Sequence, residues 1–199
     1  MRAAAPALED PTALMLRAAL DRSAAAVAGW RGITAAGGLD QVPPKAQWLA
    51  PAAYWNLRAL GVPESDLVRL KATYRHHWLR NGLALRSCVQ TLDGMRTPGL
   101  VVGSAAVALT LAFEHGAYPI SAVEVVARPS TVVVVRSAAW CGRCVPIPAP
   151  ADLLAEVLLR HTDWDARSPW LWLNAAAGII RAHPDLDWSR VDDVVRAAA

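Results

Sequence analysis

The chain has 199 residues, a length that suits one domain or two small lobes sharing a core. Apolar residues make up 54% of it, which excludes wholesale disorder. The net charge of +3 comes without a run of Lys or Arg, so we expect no nucleic-acid partner.

The sequence also argues against a membrane or secreted protein. No segment reaches the ~18 consecutive apolar residues of a membrane span. Glu9 and Asp10 stand where a signal peptide would need its apolar core. Three cysteines, an odd number, do not suggest a secreted disulfide framework. We therefore expect a cytoplasmic protein without a membrane partner.

Residues 1–96 are expected to form an N-terminal helical region. Asp10 as N-cap and Pro11 at the first helical position predict the start of a helix. The apolar face of this predicted helix extends as far as Trp30. Glycines and a Pro-Pro pair predict a loop over residues 31–47. A second helix is predicted around residues 46–60, ending at Gly61. Apolar residues three and four apart then predict one long helix of about 30 residues, with a weak point at Asn81-Gly82.

Residues 97–148 are expected to form a small α/β core. PGLVVG is typical of a short buried strand, SAAVALTLAFEH of a helix, ISAVEVVA and TVVVVRSA of further strands, and WCGRCVPIPAP of another short strand with an exit loop. The β-branched residues over 123–135 predict a sheet buried on both faces.

Residues 149–199 are expected to be helical again. Ser168-Pro169 and Asp187 are predicted helix starts, and His183-Pro184 a predicted stop. The three regions are expected to make one compact unit.

Four segments of this chain resemble one family, the uncharacterised bacterial nucleotidyltransferases of the DNA polymerase β-like fold. The segments are AYWNLRALGVPESDLVRLKATYRHHWLRNGLALRSCVQTLDGM, PGLVVGSAAVAL, ISAVEVVARP and SPWLWLNAAAGIIRAHPDLDWSRV, of which the last is the most specific. The resemblance implies an α+β fold with a small mixed sheet between helical regions. Members of the family are usually much longer, and here the part after the central strands is short.

The resemblance also implies where the chemistry would lie. In that fold a strand-to-helix turn offers backbone N–H groups to nucleotide phosphates, and acids on two strands hold Mg²⁺ ions. The turn falls on Gly103-Ser104, and the pair of acids on Ala122 and Glu124. The third acid falls on TVVVVRS, which contains no acid, and the family's arginine falls near Tyr118.

The losses agree with one another, since an aspartate of the closing helix falls on Asn174. One carboxylate without a partner is a poor Mg²⁺ site. We therefore expect a degenerate member without a metal or cofactor, acting as a binding or scaffold module or as a repurposed cleft. The family suggests a natural-product or polysaccharide biosynthetic pathway, with a small-molecule or peptide substrate.

The candidate site residues follow from the same comparison. Glu124 is the candidate catalytic group, and the candidate ligand-binding residues are Gly103, Ser104, Tyr118 and Arg128. Desolvation would raise the pKa of a solitary carboxylate in a cleft lined by Ala122, Val133 and Tyr118, which suits acid–base work.

The alternative is an active Mg²⁺-dependent enzyme that transfers NMP to a small molecule or peptide, with further acids such as Glu114 or Asp93. The sequence leaves open whether the chain is an enzyme.

Two smaller motifs fit structural roles best. Cys141 and Cys144 form a C-x-x-C that favours structural thiols over a redox pair or a zinc site, which would need ligands such as Cys88, His76, His77 or His161. His76-His77 is interpreted as an interface or surface pair, and His115 as a charge at the end of a helix. Trp-rich helical faces favour a homodimer.

Overall fold

The computed structural model describes residues 10–111, 118–120, 124–127, 135–160 and 170–198. The helices among them are α1 (Pro11–Leu20), α2 (Ala24–Ala35), α3 (Pro44–Gln47), α4 (Ala50–Ala59), α5 (Val68–Gly94), α6 (Gly103–Thr110), α7 (Pro150–Leu159), α8 (Leu171–Ala182) and α9 (Trp188–Ala198). The strands are β1 (Gly99–Val102), β2 (Glu124–Ala127), β3 (Val135–Trp140) and β4 (Arg143–Pro148). Short 3₁₀ turns cover Gly38–Gln41 and Glu64–Leu67.

The first predicted helix is present but divided in two. Asp10 caps α1 as expected, and its carboxylate accepts the Thr12 N–H at 3.0 Å. The helix then ends at Leu20, and the Ser23 hydroxyl caps α2 by accepting the Ala25 N–H at 3.1 Å. Asp21 and Ser23 divide the helix because their side chains offer backbone N–H groups a local partner.

The loop predicted over residues 31–47 is wrong, because most of it is helical. α2 continues to Ala35, and the Pro-Pro pair opens α3, since proline suits the first position of a helix. The chain reverses at Gly37 and Gly38, whose φ angles of +111° and +84° favour glycine. The next helix ends before Gly61 as predicted.

The long helix α5 confirms the spacing argument, with 27 residues against the expected 30 or so. It runs through Asn81-Gly82 without interruption. Asn81 is buried because its side chain holds the segment 118–120: its Nδ2 donates to the Tyr118 carbonyl and its Oδ1 accepts the Ile120 N–H, both at 3.0 Å.

The mixture of helices and strands confirms the α+β class, but the sheet differs from the expected one. The described strands form two antiparallel pairs, β1 with β2 and β3 with β4, and no mixed sheet. β2 is half-buried to exposed, so burial on both faces is wrong for residues 124–127. The reason is that β2 has only β1 as a neighbouring strand among the described residues.

The last helices pack back on the centre of the molecule. α8 ends at Ala182, and the Asp187 carboxylate accepts the Arg190 N–H at 3.0 Å at the start of α9, both as predicted. The predicted start at Ser168-Pro169 lies outside the described residues. One apolar cluster includes Met15, Val101 and Ile179, so all three parts of the chain contribute to it. Within the described part of the chain, no helix has the length and apolarity to cross a membrane.

Candidate functional site

The turn from β1 into α6 is the point around which the site is built. Gly103 has a φ of +65°, a left-handed conformation that glycine adopts without strain. Glu124 lies beside it, because β1 and β2 pair Val102 with Glu124. A Cβ on Gly103 would be 3.5 Å from the carboxyl carbon of Glu124.

Arg160, at the end of α7, binds two carboxylates at this turn. Its Nη1 and Nη2 donate to the two oxygens of Glu124 at 2.6 Å and 3.1 Å. Nη1 also lies 3.2 Å from Oε1 of Glu156, one helical turn earlier. Glu124 and Arg160 are each about one-third exposed. Glu124 is therefore not the solitary carboxylate that the sequence suggested.

Glu156 occupies the backbone donor at the start of α6. Its Oε1 accepts the Gly103 N–H at 3.0 Å, and its side chain is only 22% exposed. Burial raises the pKa of Glu156, while Arg160 and the Gly103 N–H act in the opposite direction. The neighbouring carboxylates, Glu124 first, raise the pKa of Arg160, which keeps the guanidinium charged. The N–H that the resemblance assigns to a phosphate thus contacts a carboxylate of the chain itself.

Three of the residues picked out by the resemblance line one small cavity. Ser104, Tyr118 and Asn174 are all buried and lie around it, together with Val107 and Leu171. The cavity measures about 20 Å³, enough for one water molecule. The structure therefore brings residues of α6, segment 118–120 and α8 together around this cavity.

A glycine on α8 allows this close approach. A Cβ on Gly178 would be 2.5 Å from the Tyr118 hydroxyl and 2.9 Å from Leu111. Only a residue without a side chain lets α8 pack at this distance.

Several predicted positions are not in this arrangement. Arg128, Ala122, Val133, Glu114, His115 and His161 lie outside the described residues. Asp93 is bonded to Arg143 of β4 at 2.5 Å, beside the end of β1 that is remote from Gly103.

The cysteines and histidines show no common centre. Cys141 and Cys144 are exposed at the β3–β4 turn, where Cys141 has a φ of +49°, while Cys88 is buried in α5. His76 is exposed, but His77 is buried against Trp48, and burial lowers its pKa to about 4. The described segments contain no group of three His, Cys, Asp or Glu placed to hold a metal ion.

Sequence reasoning missed Arg160 and Glu156. Their spacing of four residues is the usual sign of an ion pair along a helix, so the pair itself was readable. Nothing in the sequence indicates that α7 lies against the Gly103 turn, since that contact joins residues 53 positions apart.

Comparisons with other proteins add no assignment to this geometry. The chain matches no protein-family model, no curated protein and no solved structure. The function is therefore inferred from the contacts at the Gly103 turn.

Proposed function

We propose that this chain has a nucleotidyltransferase-like fold that no longer transfers nucleotides and acts as a binding or scaffold module. The observation that carries the proposal is the bridge that Arg160 makes between Glu124 and Glu156 at the Gly103 turn. A transferase of this fold needs Mg²⁺ on its carboxylates and phosphates on its turn. Here the guanidinium of Arg160 occupies the place of Mg²⁺, and the carboxylate of Glu156 occupies the place of the phosphates.

The electrostatics of the turn oppose a triphosphate. Both oxygens of Glu124 already accept hydrogen bonds from Arg160, so a metal ion would have to displace a bidentate ion pair. Glu156 places negative charge at the Gly103 N–H, where an incoming phosphate would meet repulsion rather than a free donor. Binding of a nucleotide would therefore require α7 to release both contacts.

One observation favours a second candidate, a repurposed catalytic cleft. Burial raises the pKa of the Glu156 carboxyl, and a shift in this direction suits general acid–base chemistry. The cavity at Ser104 does not offer it a substrate, because Glu156 does not line that cavity and its volume of about 20 Å³ is far below the ~300 Å³ of usual ligand pockets. Binding without chemistry is the function that the described geometry supports better.

The active Mg²⁺-dependent transferase remains the alternative. It needs acids beyond Glu124, and one of the two proposed, Asp93, is bonded to Arg143. A role beside a natural-product or polysaccharide pathway, with a small-molecule or peptide ligand, follows from the family resemblance alone. The genes that neighbour this one would test that role.

Calorimetric titration separates the candidates. We expect the wild-type chain to bind none of ATP, GTP, CTP or UTP in the presence of Mg²⁺. In Arg160→Gln, Glu124 and Glu156 lose the guanidinium, and we expect weak Mn²⁺ binding, with a Kd on the order of millimolar. The matched control is Arg69→Gln, which removes the same charge from the exposed pair with Asp40 and should leave metal binding unchanged.

The outcomes decide between the candidates. Metal-dependent binding of any of the four triphosphates by the wild-type chain would overturn the proposal and favour the active transferase. Failure of Arg160→Gln to bind Mn²⁺ would remove the argument that the guanidinium stands in place of a metal.

A further inference from the structure

The outward face of α5 carries a stripe of charge and apolar surface that the rest of the described chain does not cover. At ~100° per residue, seven exposed residues fall within a strip about 80° wide on this helix. They are Val68, Ala72, Arg75, Leu79, Leu83, Arg86 and Gln90, which we call the α5 stripe. Its large apolar members are unusually exposed, at 63% for Val68, 62% for Leu79 and 65% for Leu83.

The stripe repeats itself along the helix every 11 residues. Val68 is followed by Leu79 and Gln90, Ala72 by Leu83, and Arg75 by Arg86. An 11-residue repeat gives ~3.67 residues per turn, so the strip stays almost parallel to the axis of a straight helix. From Val68 to Gln90 it extends for about 33 Å at ~1.5 Å per residue.

The charge on this face is one-sided. Residues 68–92 contain no Asp or Glu but five Arg or Lys. Arg69 is bonded to Asp40 and Lys71 to Glu64, which neutralises the start of the helix. Arg75, Arg80 and Arg86 are exposed and form no ion pair with a carboxylate of the described residues.

We propose that the α5 stripe is the docking surface for an acidic amphipathic helix of a protein partner. The leucines would bury their side chains against the apolar side of that helix, and Arg75, Arg80 and Arg86 would meet its carboxylates. The α5 stripe includes no residue of the Arg160 network, so docking on it is independent of the function proposed for the Gly103 turn.

The arrangement of the stripe disfavours other occupants. Two copies of the stripe placed together would oppose arginine with arginine, so a homodimer would use another face. Arg75 and Arg86 lie within ~40° of Leu79 around the helix, whereas membrane-surface helices separate the charged face from the apolar one. Most contacts to a nucleic acid go to phosphates and sugars, so a row of exposed leucines would bury little surface there.

Binding of labelled probes, followed by fluorescence anisotropy at ~0.15 M salt, tests the proposal. The main probe is a designed ~22-residue helical peptide with a leucine face flanked by Glu, and its partner probe has Lys at every Glu. Vesicles of phosphatidylserine and phosphatidylcholine and a short DNA duplex are the remaining probes. We expect the acidic peptide to bind the full chain and the other three not to bind.

Two double variants identify the surface. Arg75→Gln with Arg86→Gln, and separately Leu79→Gln with Leu83→Gln, should each weaken the acidic peptide roughly tenfold or more. The control, Arg22→Gln with Arg31→Gln, removes two exposed arginines elsewhere and should change the Kd less than ~2-fold.

Three results would overturn the proposal. The acidic peptide fails to bind, or it binds with no loss in the leucine variant, or vesicles or DNA bind at least as tightly and lose affinity in the arginine variant. The last result would assign the stripe to a lipid surface or to a nucleic acid.

Discussion

The Gly103 turn and the α5 stripe differ in whether their charged side chains are paired. At the turn, one guanidinium contacts two carboxylates, and one of those carboxylates contacts a backbone N–H. On the stripe, Arg75 and Arg86 are exposed and form no ion pair with a carboxylate of the described residues, and Leu79 and Leu83 lie between them. At the turn, which resembles an active site in sequence, the charged groups are paired with one another. On α5, where the sequence shows no functional motif, apolar side chains are exposed beside arginines that pair with no carboxylate of the described residues.

The substitution Arg160→Met should cause the largest loss of stability at the Gly103 turn, because it removes the cation that pairs with both carboxylates. It leaves Glu124 and Glu156 close together without the shared cation. Removing one member of a buried pair costs ~3–5 kcal/mol, and partial exposure reduces this to about 2 kcal/mol here. Denaturant unfolding at neutral pH measures the loss.

Two further variants show whether the loss comes from the unpaired carboxylates. Adding Glu156→Gln to Arg160→Met should recover part of the stability, because the repulsion disappears. Arg69→Met breaks only the exposed pair with Asp40 and should cost much less. Equal losses in Arg160→Met and Arg69→Met would contradict the distinction.

The substitution Gly178→Ala tests the packing of α8 on Tyr118. The new methyl would be 2.5 Å from the Tyr118 hydroxyl, and overpacking of this kind costs about 1–3 kcal/mol. The matched control is Gly82→Ala, where no atom lies within 4 Å of the new methyl. There alanine should raise the free energy of unfolding by ~0.5–1 kcal/mol through its helix propensity. Thermal unfolding gives both values, and a gain in both variants would show that α8 does not pack as described.

Local features of the sequence predicted the parts of the fold that depend on local interactions. Asp10 capped the first helix, Gly61 ended the fourth, and the three–four spacing gave α5 nearly its full length. The two errors in the helical region have local causes as well. Asp21 and Ser23 divided a helix that the apolar spacing continued, and the Pro-Pro pair opened a helix where it was taken for a loop.

The candidate site was only partly predictable because it depends on contacts between distant elements. The resemblance named Ser104 and Tyr118 as candidate ligand-binding residues and aligned Asn174 with a lost aspartate; all three line one cavity, which the resemblance did not predict. It did not indicate Arg160, since a helix outside the aligned motifs brings that residue to Glu124. A pairing of this kind follows from the packing of α7 and has no signal in the spacing of residues.

The pH dependence of stability should differ in sign between the two kinds of carboxylate. Burial raises the pKa of Glu156 above its unfolded value near 4.5, so its contribution is complete below that pH and is lost as the pH rises through the folded pKa. Glu156→Gln should therefore gain stability relative to the wild type as the pH rises from about 4.5 through the folded pKa of Glu156. Chemical unfolding at several pH values measures this difference.

Glu64 provides the control of opposite sign. Its bonds to Lys71 and Tyr54 lower the pKa of its carboxyl, so its contribution is present at neutral pH and is lost as the pH falls through the lowered pKa. Glu64→Gln should lose stability at neutral pH and approach the wild type in acid. The prediction for Glu156 is contradicted if both variants follow the same trend with pH.

The smallest effect is expected on the α5 stripe. Leu79→Ala and Leu83→Ala remove side chains that are 62% and 65% exposed, so each should change the free energy of unfolding by less than ~0.5 kcal/mol. Leu85→Ala, on the same helix but fully buried, should cost ~2–5 kcal/mol. Equilibrium unfolding of the three variants compares them directly. A large loss at Leu79 or Leu83 would show that these leucines pack within the chain, and the surface could then not be a docking site. A negligible loss means that folding does not require these leucines, which is the condition for a surface whose apolar side chains serve a partner.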